Sequence, residues 1–163
     1  MERTLNLLRC RFPHLSYTES NTFYWSPETK EIFYATNAAG NSATWSLLHE
    51  TSHGLLEHRA YRTDLELLQL EMVAWERAKV LAAELSLPID DTHIQDCLDT
   101  YRDWLHARSA CPGCGSQSLQ QPNFCYKCYN CHAAWKVTPS RFCRTYRSLK
   151  DEEEQYIAAD LKS

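Results

Sequence analysis

His49-Glu50-Thr51-Ser52-His53 has the residue types and spacing for metal-assisted hydrolysis. Two histidines four apart lie about 400° round a helix, so both imidazoles leave one face. From there both can ligate one zinc ion at about 2.0–2.1 Å. Glu50 projects beside them, and its carboxylate can accept a proton from a zinc-bound water. The alternative for five residues taken alone is a surface helix that merely carries His and Glu, so their surroundings decide.

A catalytic zinc site of this kind takes three protein ligands and leaves one position open. The third is sought on the next helix, expected over residues 64–86 with Asp64 as its N-cap. There Leu67, Leu68, Ala74, Trp75 and Ala78 recur at helical spacing, and Glu71 interrupts them. A carboxylate among apolar neighbours is costly unless it is paired or bound to metal. Glu71, 18 residues beyond His53, is the leading candidate. Glu76 and Glu66 are the fallbacks, and an exposed Glu at the stripe's edge is the alternative. A third histidine in an HExxHxxGxxH arrangement is excluded, because residue 56 is Leu and residue 59 is Arg. His58 is five residues past His53, about 140° off the ligand face of the helix. His58 therefore reads as a helix-end or surface residue.

A second metal is written in cysteine. Cys111-Pro112-Gly113-Cys114 is a knuckle whose Gly113 is expected to permit the tight turn. Cys125, Cys128 and Cys131 offer two overlapping CxxC pairs. Cys128 with Cys131 is preferred, since strand-like residues flank them on both sides, and Cys125 is the alternative ligand. His132 is the less favoured donor, and Cys10 and Cys143 receive no role. Four thiolates close the coordination of zinc, which makes this site structural.

The elements that must position these groups follow from periodicity. Thr22–Trp25 and Glu31–Ala35 are aromatic and β-branched runs around Ser26-Pro27, a hairpin signal. Tyr24 and Tyr34 carry hydroxyls that could reach the site. Residues 1–20 are less informative: Leu5, Leu7 and Leu8 suit a short helix or strand, interrupted by Pro13. The HExxH helix is expected over 42–58 and a third helix over 91–108, with Ile94, Leu98, Tyr101 and Leu105 as its stripe. Cys97 reads there as a small buried residue, and His93 and His106 as surface or boundary residues.

The chain has 163 residues and is 44% hydrophobic, enough for one domain and a small module. Its net charge of −4 is unevenly spread. Residues 1–107 carry −7, residues 108–150 carry +7 without any Asp or Glu, and residues 151–163 carry −4. No apolar run is long enough to cross a membrane, and the start lacks the apolar stretch of a signal peptide. Clustered CxxC spacings point to zinc in a reducing compartment rather than to disulfides. A cytoplasmic protein is expected.

Taken together, His49-Glu50-Thr51-Ser52-His53, Glu71-Met72-Val73-Ala74-Trp75-Glu76-Arg77-Ala78 and Leu85-Ser86-Leu87-Pro88 resemble the ImmA/IrrE-type, gluzincin-like metallopeptidases. That family joins HExxH to a downstream ExxAxxxA helix, and Trp75 stands where it often has Asn. The resemblance covers roughly residues 20–90. It implies that His49, His53 and Glu71 hold a catalytic zinc, with Glu50 as general base. The SprT-like proteases, which act on DNA-bound proteins, also join HExxH to a zinc ribbon. Their third ligand is usually a histidine, and no His lies between His58 and His93 here.

The expected fold is α+β. A small β-hairpin or sheet packs on the HExxH helix and the helices after it (1–107), followed by a zinc ribbon (108–150) and an acidic tail (151–163). The expected function is hydrolysis of a specific intracellular protein, with one catalytic and one structural zinc. Tyr61, His58 and Arg59 are the candidates to stabilise the oxyanion. The ribbon is expected to recognise substrate or partner, and its basic, aromatic surface could contact nucleic acid through Tyr126, Lys127, Tyr129, Trp135, Lys136, Arg141, Phe142, Arg144, Tyr146, Arg147 and Lys150. A non-enzymatic binding module is the competing class.

Overall fold

The structure, a computed structural model, describes residues 1–138, 145 and 147–149. Arg141, Phe142, Cys143, Arg144, Tyr146, Lys150 and the acidic tail lie outside the described residues. Among the described residues, four helices and two small sheets make an α+β fold, as expected. The chain divides into two compact units: Met1–Arg62 with Leu67–Leu98, and Thr63–Glu66 with Asp99 onward. No helix among the described residues is long and apolar enough to cross a membrane.

In the first unit, Leu5 and Leu8 are three apart and both buried, and the ambiguous N-terminal run forms helix α1, Glu2–Arg11. Strands β1 (Ser16–Ser20), β2 (Tyr24–Ser26) and β3 (Glu31–Ala35) make a sheet in the order β1-β3-β2. The expected hairpin is β2 against β3, antiparallel. The parallel partner β1 is an addition. Its sequence, Ser-Tyr-Thr-Glu-Ser, shows no buried alternation, and it is held by pairing rather than by pattern.

The sheet packs on α2 (Gly40–Leu55), the helix that carries HExxH. Gly54 permits the close approach: a Cβ there would lie 3.2 Å from the Trp25 ring. Ile32 and Tyr34 of β3, Leu47 and Leu48 of α2, and Trp75 and Leu81 of α3 (Asp64–Glu84) share one core with Leu5 and Leu8. Ala74, Ala78 and Ala82 of α3 have no exposed surface, so small side chains line its buried face at four-residue spacing. Helix α4 (Asp91–Ser109) adds Ile94 and Leu98.

Helix α2 stops three residues short of the expected His58. Glu57 takes φ 51, in the left-handed region. The His58 N–H then donates to the His53 carbonyl at 3.1 Å, and the Glu57 N–H to the Gly54 carbonyl at 3.2 Å. These are the paired bonds of a Schellman end, which usually takes glycine at the left-handed position. Because Glu57 is exposed and pays for its Cβ there, Glu57→Gly is expected to stabilise the chain by about 0.5–1 kcal/mol. A rise in the urea midpoint at unchanged m-value would show it, and no rise would mean that the Glu57 side chain compensates.

The second unit is organised on a four-stranded antiparallel sheet in the order β4-β5-β6-β7. Its strands are β4 (Leu119–Gln121), β5 (Cys125–Lys127), β6 (Ala134–Val137) and β7 (Arg147–Leu149). Tyr126 stacks on Trp135 at 5.6 Å between centroids, and both are buried. The N-cap of α3 is Thr63, not Asp64: the Thr63 hydroxyl accepts the Glu66 N–H at 3.1 Å. The Thr63-Asp64-Leu65-Glu66 run carries the capping signature. Asp64 is fully buried instead and accepts from Arg108 Nε and from the Tyr126 hydroxyl, each at 2.6 Å.

Candidate functional site

In the first unit, His49 and His53 leave one face of α2 and meet Glu71 of α3. His49 Nε2 lies 3.1 Å from Glu71 Oε2 and 3.1 Å from His53 Nε2, and His53 Nε2 lies 3.6 Å from Glu71 Oε1. All three residues are buried, and their donor atoms fall within 4.8 Å of one another. The fallback carboxylates do not join: Glu76 is exposed, and Glu66 belongs to the other unit. Burial pushes the Glu71 carboxyl up, but hydrogen bonds and charge from His49 and His53 outweigh it and hold the carboxyl well below the usual range.

Two nitrogens and a carboxylate oxygen converging in a dry place suit a divalent metal ion, which would compensate the buried carboxylate. The Trp75 ring packs over His49, with centroids 4.2 Å apart and planes at 30°. His49 Nδ1 is buried with no hydrogen-bond partner among the described residues, and the Trp75 ring packs against its imidazole instead.

Glu50 is half-buried on the same helix. Burial pushes its carboxyl up, His49 and His53 draw it down, Glu71 raises it again, and a backbone N–H of Trp25 donates to it. The net shift is upward, which makes the carboxylate a stronger proton acceptor. Trp25 is a residue that sequence reasoning missed. Its backbone orients Glu50, its ring lies against Gly54, and its indole donates to the His58 carbonyl at 2.8 Å. The one local signal was a glycine directly after His53.

His58 stands just past the end of α2 and outside the ligand group. It is not a surface bystander, because its Nδ1 lies 2.8 Å from His53 Nδ1. The 140° offset holds only for a continuous helix, and the chain leaves the helix before reaching it. Burial, then the neighbouring His53, lowers the His58 pKa to about 4. His58 also walls a groove of about 250 Å³ with Trp25, Lys30, Leu55 and Arg59.

The two tyrosine hydroxyls do not serve the cluster. Tyr34 donates to Glu19 at 3.3 Å, and Tyr24 stacks on Phe33. His93 sits between the Trp45 and Trp75 rings, with its Nε2 3.6 Å from Cys97 Sγ. His106 pairs with Gln117 at 3.0 Å.

In the second unit, Cys111, Cys114, Cys128 and Cys131 form the other group, among the described residues, able to hold a metal ion. Cys111 Sγ lies 3.5 Å from Cys131 Sγ, and Cys114 Sγ lies 3.6 Å from Cys128 Sγ. Cys125 is not among them, and its Sγ faces the Asn123 carbonyl at 3.6 Å. Hydrogen bonds from Ser116 and Asn130 pull the Cys114 thiol down to about 5, toward the thiolate that a metal requires.

The turn residue differs from expectation. Gly115, at φ 75, takes the left-handed position after the first cysteine pair, while Gly113 does not have positive φ. A Cβ on Gly113 would make only ordinary contact, 3.6 Å from Cys131 Sγ. His132, at φ 60, does for the second pair what Gly115 does for the first. That backbone role, with an exposed side chain, is where His132 stands rather than in the donor set. Comparison with protein-family models, curated proteins and solved structures finds no match to this chain.

Proposed function

We propose that the chain is a zinc-dependent peptidase that hydrolyses a specific intracellular protein, in the manner of the ImmA/IrrE-type enzymes it resembles. The observation that carries this is the convergence of His49, His53 and Glu71 within 4.8 Å beside the half-buried Glu50. His49, His53 and Glu71 would hold the metal, and zinc, when bound, supplies Lewis acidity that polarises a carbonyl and makes water easier to deprotonate. Glu50, held by the Trp25 N–H, takes a proton from the attacking water and delivers it to the leaving amine. The groove beside His58 would receive part of the substrate. The four cysteines would hold a second, structural zinc with no open position.

Zinc content of the purified chain, supplemented with zinc, tests the site. Two per chain are expected in the parent and one in Glu71→Ala, with peptide-library cleavage confined to the parent. A parent that takes only one zinc after supplementation would sink the peptidase reading.

A second reading adds a nucleic-acid contact through the ribbon, with the peptidase cutting a bound target. It is favoured by the +7 charge of residues 108–150 and by Tyr129, which is 65% exposed and able to stack on a base. Full-length chain should then bind single-stranded oligonucleotides more weakly as salt rises, and Tyr129→Ala should weaken binding further. Salt-independent or absent binding removes this reading and leaves the first intact.

A further inference from the structure

We infer that His58 is the positioning residue for the proposed metal ligand His53, fixing its tautomer and ring orientation through an Nδ1-to-Nδ1 hydrogen bond. The inference rests on the metal site proposed above and adds a residue outside the HExxH and ExxA motifs. The two Nδ1 atoms are 2.8 Å apart, so one must donate and the other accept. His53 Nε2 points at His49 Nε2 and Glu71, where a ligand needs its lone pair. Its proton must then sit on Nδ1 and be donated to His58, whose own proton is on Nε2. Donation from the far nitrogen of a metal-bound imidazole makes the ligating nitrogen more basic and stops the ring turning.

The backbone is built to put His58 there. The left-handed Glu57 reverses the chain at the end of α2, and the His58 N–H bonds the His53 carbonyl at 3.1 Å. The Trp25 indole clamps the His58 carbonyl at 2.8 Å. These bonds use main-chain atoms of His58, so its imidazole can be replaced without removing them. The pairing is also asymmetric. Among the described residues the far nitrogen of His49 has no partner, whereas that of His53 has His58.

Isosteric replacement separates positioning from packing. Asparagine places an amide oxygen near the Nδ1 position and can accept the His53 proton, whereas glutamine reaches instead toward Nε2. Cobalt(II) titration of the full chain resolves the two metals, because thiolate coordination at the cysteines and nitrogen–oxygen coordination at the histidines give different visible spectra. Competition with a chelator then yields the affinity of the histidine site.

His58→Ala and His58→Gln are expected to bind cobalt there about 10–100-fold more weakly than the parent, and His58→Asn within a few-fold of it. The thiolate spectrum and the thermal midpoint should be unchanged in all three. Parent-like affinity in Ala and Gln, or an Asn variant as weak as Ala, overturns the positioning role. A parent that shows only the thiolate spectrum overturns the metal site itself, and the two failures are thus told apart.

Discussion

Glu50→Gln is expected to retain both metals and to lose hydrolysis by about 10²–10⁴-fold, the usual contribution of a positioned general base. The substitution is nearly isosteric. Its amide oxygen can still accept the Trp25 backbone N–H that holds the carboxylate in the parent. Neither His49 nor His53 loses a neighbour of similar shape, so metal content and fold should stay as they are. What is lost is the ability to take a proton from water. The measurement is single-turnover cleavage of a substrate selected from a peptide library, with metal content determined on the same sample. Undiminished cleavage would move the base elsewhere. Loss of the metal together with cleavage would make Glu50 a structural member of the site instead.

Arg108→Met is expected to destabilise the second unit by about 3–5 kcal/mol, the cost of leaving a buried charge without its partner. Asp64 and Arg108 have no exposed surface. Arg108 Nε meets Asp64 Oδ2 at 2.6 Å, and its guanidinium lies 4.4 Å from the Trp104 ring centroid. Its Nη1 donates to the Thr138 carbonyl, and its own carbonyl accepts from the Trp135 indole at 3.0 Å. Tyr126 closes the network on Asp64 at 2.6 Å; its burial and that bond hold its phenol well above the ordinary value. Met in place of Arg108 leaves the Asp64 carboxylate in a dry core with the Tyr126 hydroxyl donating to it and no cation beside it. Asp64→Leu together with Arg108→Met should be less destabilised than Arg108→Met alone, because the orphaned charge is gone. Denaturant unfolding with metal present gives both values. A single variant within 1 kcal/mol of the parent would mean that water or another cation reaches Asp64.

The expectations that failed share a cause. Asp64 has the composition of a helix cap, and nothing local singles out Arg108. Each is buried only because the other, 44 residues away, answers its charge, and no local pattern records such a pairing. Strand β1 is likewise polar in sequence and becomes a strand through β3. The expected end of α2 at residue 58 lies three residues too far, because nothing local marks Glu57 as the left-handed residue that closes it.

Local chemistry was legible where one helix turn or one knuckle decides it. HExxH spacing puts two imidazoles on one face whatever surrounds them, CxxC pairs bring thiols together within a few residues, and helical periodicity exposed Glu71 as a carboxylate in the wrong company. By itself the sequence determined the pair of histidines on one helix face, the clustered cysteine pairs, the three main helices and the α+β class. Only the tertiary structure decided that Glu71 reaches the histidines, that Trp25 orients Glu50 and that His58 backs His53. Those contacts join residues 18 to 25 apart in sequence, or depend on where a helix ends, and both are settled by packing rather than by local spacing.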